Sequence, residues 1–293
     1  MSVAIGDCKM THVIHNSATF LMKYALFALL LSVGLRTTPR ALRAAWSERR
    51  LVLRALAVVE LGVPLLAILV LSLLPLPLPA RTGLALAAVC PGSPLALRAE
   101  RDHASIVVTV ALSSLLVPVT LPFWTSLLGP LTASTLTVDM PVLLDLVLTR
   151  FLLPFGLGLA INTWLPSAAH TLQRIAWAVF VAGIVLGVVF ALVRGAPTLL
   201  HVDHWTILAL VLMVVGSAAM GHWAGKSEPN SGRALASVAV LGNPALLIAV
   251  VANGEPVQHA LAIVAAYIVA RAATWALFEV MLRSYRRAHP LAT

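Results

Sequence analysis

The chain has 293 residues, of which 60% are apolar and 11% are charged, and its net charge is +9. Soluble domains are about 45–50% apolar and about 25% charged, so this composition excludes a disordered chain and an ordinary soluble enzyme. Only Cys8 and Cys90 are present, too few for a disulfide framework or a cysteine-ligated metal site. The basic residues stand in short clusters between apolar runs, without the basic, aromatic-interleaved helix typical of nucleic-acid binding.

A transmembrane helix needs roughly 20 mostly apolar residues. Nine segments approach this requirement and predict an all-α polytopic membrane protein with nine transmembrane helices. The predicted spans are residues 19–35, 51–74, 82–97, 103–128, 140–162, 175–193, 204–223, 234–253 and 257–282. We divide the chain into a polar N-terminal segment (1–18), a single transmembrane transporter domain (19–283) and a short basic tail (284–293). The polar segment is expected to be neither a signal peptide nor a tenth span.

Lys and Arg residues accumulate on the cytoplasmic side of membrane proteins. With nine alternating spans, most of the 20 Lys and Arg residues fall on one side of the membrane. This distribution predicts an N-terminus outside and a cytoplasmic C-terminus. We expect the membrane to be a bacterial inner (cell) membrane. The arginine-rich stretch from Arg36 to Arg54 is expected to lie on the anionic inner leaflet.

The third and eighth spans contain helix breakers at matching positions. Each begins with an arginine and reaches its break ten or eleven residues later. Because proline lacks an amide donor, a broken helix survives in a membrane only where protein or water satisfies the freed groups. The two spans run in opposite directions, and such a pair in inverted repeats points to a secondary transporter with a site at the midplane. The alternative is a pair of purely structural kinks.

Several motifs follow the breaks and the early spans. Residues Leu84 to Pro118 combine a Cys-Pro-Gly turn with a helix bearing Ser and Thr, and Val63 to Leu66 and Asn243 to Leu246 add proline-containing segments. In these features the chain resembles the bile acid:sodium symporter family, within the superfamily that also contains the auxin efflux carriers. The resemblance implies inverted repeats, a core and a panel domain, two broken crossover helices that cross near mid-membrane, and transport of organic anions, often with sodium.

The resemblance also bears on the coupling ion. Ser105 and Thr109 keep the spacing of the family's ion ligands and share one helix face. However, Val238 and Gly242 stand where the family's sodium-coupled members carry a Glu and a Gln, and residues 96–98 (Ala-Leu-Arg) stand where they carry Ser-Asn after the Cys-Pro-Gly turn. Val59 aligns with a further family Gln. The inherited sodium site therefore lacks most of its side-chain oxygens, which argues against sodium coupling.

Two ionisable residues inside predicted spans are candidate functional groups, because such residues usually face the protein interior and serve a purpose. Glu60 lies four residues before Pro64 and follows Val59 directly. It is either a proton carrier, since burial favours the neutral form of a carboxyl, or a hydrogen-bonded structural residue. Arg271, in the last span, either holds a substrate carboxylate or pairs with Glu60.

The two breaks are predicted to form the substrate site, because the positive end of a half-helix and its free amides suit a carboxylate or sulfonate. The predicted substrate-binding residues are Pro91, Gly92, Ser93, Gly242, Asn243, Pro244 and Arg271, and the predicted coupling residues are Glu60, Ser105 and Thr109. No catalytic residue, metal site or organic cofactor is predicted.

The sequence therefore predicts a secondary active transporter of a small organic anion that works by alternating access. The coupling ion is Na⁺ or H⁺, or the protein is a uniporter. The alternatives are an exporter similar to the auxin efflux carriers and a membrane sensor or scaffold that keeps the fold without transport. The expected partners are the substrate and the lipid bilayer, with no nucleic acid, and the oligomeric state stays open.

Overall fold

The computed structural model describes residues 24–25, 27–90, 104–132, 141, 145, 148–199, 203–226 and 231–240. Every regular element within these ranges is helical. The helices are α1 (27–34), α2 (Pro39–Ser47), α3 (Arg49–Ala57), α4 (Val63–Leu73), α5 (Leu78–Val89), α6 (Ala104–Thr132), α7 (Leu153–Trp164), α8 (Pro166–Leu199), α9 (His204–Gly225) and α10 (Ser231–Val240). Two π-helical turns, Val58–Gly62 and Leu148–Leu152, precede α4 and α7.

Three helical segments among the described residues are long and apolar enough to cross a membrane. They are Arg49–Leu73, Leu115–Thr132 and His204–Gly225, and they coincide with the predicted spans 51–74, 103–128 and 204–223. A helix rises about 1.5 Å per residue, so the first of these is about 37 Å long, enough to cross the roughly 30 Å hydrocarbon core. The all-helical membrane class predicted from composition is therefore confirmed.

The arginine-rich stretch after α1 is itself helical, which the sequence analysis did not predict. It forms α2 and the first turns of α3, and Glu48 separates the two helices. Arg40, Arg43 and Arg49 are exposed, and α2 packs against α6. The basic side chains thus project from a short helix that is held against the rest of the protein.

Helices α5 and α10 are short and are surrounded by protein. In α5 every residue from Thr82 to Val89 is buried, and in α10 every residue except Arg233 is buried. With 12 residues, α5 is about 18 Å long, roughly half the membrane thickness, and the described part of α10 contains 10 residues. They are the first halves of the two spans predicted to be broken, and a half-spanning helix needs this enclosure because lipid satisfies no backbone polar group.

Helix α5 ends where the sequence places its breaker. Val89 is the last helical residue, and Cys90 has an extended backbone with φ −87° and ψ 98°. The residue before a proline is sterically driven out of the helical region, and Pro91 follows directly. The chain beyond Cys90, up to residue 103, lies outside the described residues, as does the second break.

The apolar interior consists of separate clusters. The large one is built on α4, α5, α6 and α9 and includes the ends of α5 and α10. A second cluster joins α1 to α7 and α8 through residues such as Leu29, Val33 and Phe180. Gly34 and Gly158 let α1 and α7 approach, since a Cβ on Gly158 would lie 2.5 Å from the Leu31 carbonyl oxygen.

Helices α9 and α10 form an antiparallel pair in close backbone contact. A Cβ on Gly221 would lie 2.6 Å from the Leu235 carbonyl oxygen, and one on Gly225 would lie 2.5 Å from that of Ser231. Glycines four residues apart lie on one helix face, so α9 presents a flat strip along which α10 packs. The strip positions the second half-helix against α9.

Candidate functional site

The residues predicted to bind substrate fall in segments outside the described ranges. They are Pro91, Gly92, Ser93, Gly242, Asn243, Pro244 and Arg271. What is described is the approach to both breaks, namely α5 up to Cys90 and α10 up to Val240. These seven assignments therefore stay predictions, as does the pairing of Arg271 with Glu60.

The described ends of the two half-helices belong to one part of the protein. Val89 and Cys90 at the end of α5, and Ala239 and Val240 at the end of α10, are members of the large apolar cluster, together with Met213 of α9. The end of α5 at Cys90 is a helix C-terminus, where free carbonyl oxygens give a partial negative charge. Such ends favour a cation, whereas an anion needs the positive N-terminal ends of the segments that follow the breaks.

Glu60 is buried within the Arg49–Leu73 span, with 7% of its surface exposed. The Ser113 hydroxyl donates a hydrogen bond of 2.6 Å to Glu60 Oε1, and Thr120 is a second hydroxyl bonded to this carboxyl group. Among the described residues, no ion pair with a cation involves Glu60. Its carboxyl group is therefore served by hydroxyls, which can donate to a carboxylate or accept from a carboxylic acid.

The backbone around Glu60 is a π-helical turn, and Pro64 explains it. In an α-helix the Glu60 carbonyl would accept from the amide of residue 64, but proline has no N–H and its ring clashes with that carbonyl. The Trp124 indole N–H donates to this carbonyl at 2.8 Å instead. A π-helical turn contains one residue more than an α-helical turn, and it is common at functional sites. The extra residue rotates the side chains around Val59 and Glu60 relative to a regular α-helix, and a sequence alignment does not show this rotation.

Ser105, Thr109 and Ser113 form a row of buried hydroxyls at four-residue spacing along α6. Thr109 donates to the Ser105 carbonyl oxygen at 2.8 Å, and Ser113 donates to Glu60. Ser105 Oγ is buried and has no hydrogen-bond partner among the described residues. The predicted coupling residues Ser105 and Thr109 thus lie on the same face of α6 as Ser113. Ser113 is the hydrogen-bond partner of Glu60, the third predicted coupling residue.

The positions where the sodium ligands of the family are lost come together in space. Val59 and Val238 pack with Ile106, Val110 and Ala234 in one small apolar cluster. Ile106 and Val110 directly follow Ser105 and Thr109 in the chain, so this cluster borders the two hydroxyls. Aliphatic side chains therefore occupy the place where the resemblance implies carboxylate and amide oxygens.

Sequence reasoning missed three polar residues of this region. Ser113 continues the four-residue spacing of Ser105 and Thr109, a signal that the sequence does contain. Trp124 and Ser217 carry no local motif, because their roles depend on which helices pack together. Ser217 Oγ is fully buried without a partner in the described part of the chain. Gly225 and Gly221 of α9 face successive turns of α10, and the same register one turn further puts Ser217 opposite Ala239 and Val240.

Asp203 and Arg81 have structural roles in the described part of the chain. Asp203 is the N-cap residue of α9, and the Thr206 hydroxyl donates to its carboxylate. Arg81, which opens the first broken span, donates from Nε to the Leu76 carbonyl oxygen at 2.9 Å. Within the described ranges, no group of three or more His, Cys, Asp or Glu side chains is placed to hold a metal ion.

Comparison with known families decides the assignment. The model of the sodium bile acid symporter family matches residues 23–201, more than half of the chain. The chain belongs to the sodium bile acid symporter family. The match includes the first break and all three predicted coupling residues, and it ends before the second break. No curated protein matches the chain.

Membership in the sodium bile acid symporter family, together with the apolar helices, makes this an integral membrane protein. It is a membrane transporter of the bile acid symporter type, with a small-molecule substrate. Members of the family are transporters, not enzymes, which supports the expectation that this protein is not an enzyme.

Proposed function

We propose that this protein is a secondary active transporter of a small organic anion, coupled to protons through Glu60 and working by alternating access. The observation that carries the proposal is the environment of Glu60, a buried carboxyl group with hydroxyl partners and no paired cation among the described residues. An unpaired charge inside a membrane is costly, and such residues mark ion and proton pathways. Hydroxyl partners accommodate both protonation states, as a proton carrier requires.

The proposal assigns no coupling role to sodium. Sodium needs several hard oxygen ligands, and Val59 and Val238 place aliphatic groups beside Ser105 and Thr109. The Thr109 hydroxyl is also engaged with its own helix backbone. Ser105 is then a remnant of the family's ion site.

The nine-span arrangement with inverted repeats is part of the proposal. It is supported by the two half-spanning buried helices, whose ends reach a common cluster, and by the separate cluster of α1, α7 and α8. In the proposed mechanism the larger group of helices is the core domain and the second group is the panel domain. Substrate binds at the breaks, from Pro91 to Ser93 and from Gly242 to Pro244, and the core moves against the panel.

The test is uptake of radiolabelled taurocholate and a panel of small carboxylates into proteoliposomes. Taurocholate is a useful probe because its sulfonate stays charged and does not cross the bilayer as a neutral acid. We expect accumulation under an inward proton gradient and no added effect of a sodium gradient. Accumulation driven by sodium alone would contradict the proposal, as would the absence of accumulation under any gradient.

The matched variants are Glu60→Gln and Glu48→Gln. Gln at position 60 keeps the size of the side chain but removes the titratable proton, so gradient-driven accumulation should fall at least tenfold while downhill equilibration of substrate remains. Glu48 is exposed, and its replacement should leave both activities unchanged. Equal losses in the two variants would show that Glu60 has no specific role.

A further inference from the structure

A polar cavity lies away from the breaks, between the end of α1 and the junction of α7 and α8. Its volume is about 440 Å³, and it is lined by Leu35, Arg36, Asn162, Pro166, Ala169, His170 and Gln173. None of these residues belongs to the large apolar cluster that holds the ends of α5 and α10. The cavity is therefore distinct from the proposed transport site.

Hydrogen bonds between helices hold the polar wall of this cavity in place. Asn162 Nδ2 of α7 donates to the Thr37 carbonyl oxygen at 2.9 Å, and Gln173 Nε2 of α8 lies 3.5 Å from the Ser32 hydroxyl of α1. Gly34 and Gly158 bring the backbones of α1 and α7 together one turn away. The shape of the cavity is thus set by three helices that are already fixed to one another.

The cavity is basic and contains no acidic side chain. Arg36 and His170 are both exposed lining residues, and neither forms an ion pair with a described residue. A guanidinium group offers paired N–H donors that match a phosphate, and an imidazole offers a further N–H. The cavity therefore presents unpaired donors to an anion.

The position of the cavity is that of a membrane–water interface. Trp164, which ends α7 beside it, is 79% exposed, and exposed tryptophans are typical of the headgroup level. The exposed apolar face of α8 begins just beyond the cavity, at Leu172, Ile175 and Val179. Arg40, Arg43 and Arg49 are exposed on the same side of the protein, as α2 and the start of α3 follow α1 directly.

We propose that this cavity binds the phosphate headgroup of an anionic membrane phospholipid. Arg36 and His170 hold the phosphate, and the acyl chains lie along the exposed apolar face of α8. Basic pockets between transmembrane helices on the cytoplasmic side are known to take such headgroups. The bound lipid would fix α1, α7 and α8 at the inner leaflet, whatever the coupling ion of transport is.

The test measures binding of phosphatidylglycerol to the full chain purified in detergent, by native mass spectrometry, with phosphatidylcholine and glycerol 3-phosphate as comparison ligands. A basic side chain near anionic lipid strengthens binding about fivefold. We therefore expect Arg36→Gln to weaken phosphatidylglycerol binding about fivefold, and Arg36→Gln/His170→Gln to weaken it further because the imidazole N–H donor is also lost. The exposed Arg50 is the control, and Arg50→Gln should leave the affinity within twofold.

Three results would overturn the proposal. The double variant could bind phosphatidylglycerol as tightly as the unchanged chain, or phosphatidylcholine could bind equally well, which would exclude recognition of the anionic headgroup. Glycerol 3-phosphate binding with the affinity of the lipid would identify a site for soluble phosphate compounds instead. Should the double variant misfold, Arg36→Gln alone, with an expected loss of about fivefold, repeats the test.

Discussion

Two buried serines of α6 show that a hydroxyl group affects stability differently depending on whether it has a hydrogen-bond partner. Ser113 and Ser105 are both buried serines on the same face of α6, but within the described part of the chain only Ser113 has a partner, the Glu60 carboxyl group. A hydrogen bond to a charged group contributes about 1.5–3 kcal/mol to the free energy of unfolding. A buried polar group that loses its partner destabilises the folded state by its free energy of desolvation. A hydroxyl without a partner has no such bond to lose.

We predict opposite effects of the same substitution at the two serines. Ser113→Ala should lower the free energy of unfolding by about 1–3 kcal/mol, because the Glu60 carboxyl group loses a donor. Ser105→Ala should leave it unchanged or raise it slightly, since it removes an unpaired buried hydroxyl. The measurement is unfolding of the purified variants in sodium-free detergent buffer. If Ser105→Ala is as destabilising as Ser113→Ala, Ser105 has a partner that this account misses.

At the scale of elements, the two π-turns share a cause that can be read in the sequence. Each ends two residues before a proline, Pro64 in one case and Pro154 in the other. Because proline cannot donate to the carbonyl four residues earlier and clashes with it, the preceding turn widens. At Glu60 the widened turn is stabilised from outside by Trp124. Proline here reshapes a helix within a span without ending it.

The contact between α9 and α10 gives a prediction with a matched control. Gly221→Val places a Cβ within 2.6 Å of the Leu235 backbone, and overpacking of this kind costs about 1–3 kcal/mol. Gly156→Val in α7 has the same change in helix propensity, but a Cβ there meets nothing within 4 Å. We expect the melting temperature to fall for Gly221→Val and to change little for Gly156→Val. Equal losses would indicate that backbone propensity, not packing, controls the effect.

At the scale of the whole molecule, the apolar surface is divided between lipid-facing and enclosed helices. The Arg49–Leu73 and His204–Gly225 spans keep large apolar side chains exposed, as lipid-facing helices do. Helices α5 and α10 are enclosed instead. A helix that is apolar on all faces is stable in either setting, but only enclosure permits the helix to stop in the middle of the membrane.

The proposed topology is testable on the full chain. Nine spans with the N-terminus outside put the C-terminus in the cytoplasm, where a C-terminal green fluorescent protein is expected to fluoresce and a C-terminal alkaline phosphatase to be inactive. The same reporters joined after Asp203, the residue before α9, should give the reverse pattern, because the connection that precedes α9 is predicted to be outside. An active phosphatase at the C-terminus would disprove the orientation.

Much of the fold was predictable because hydropathy and helix breakers act locally. The spans around residues 51–74, 103–128 and 204–223 and the end of α5 at Cys90 follow from composition and from Pro91 alone. Helix ends were less predictable: the predicted span 175–193 lies inside the longer helix Pro166–Leu199, because polar residues extend a helix beyond the apolar run. The helical state of the arginine-rich stretch 39–50 was not predicted, since its stability depends on packing against α6.

By itself, the sequence determined that this is a helical membrane protein with a helix that ends just before Pro91 and a carboxyl group inside the Arg49–Leu73 span, because these properties depend on composition and on proline chemistry. Only the tertiary structure decided the partners. It placed Ser113 and Trp124 on Glu60, brought Val59 and Val238 together beside Ser105, and enclosed α5 and α10. Those contacts join residues far apart in the chain, and their geometry depends on helix packing, for which a single sequence contains no local signal.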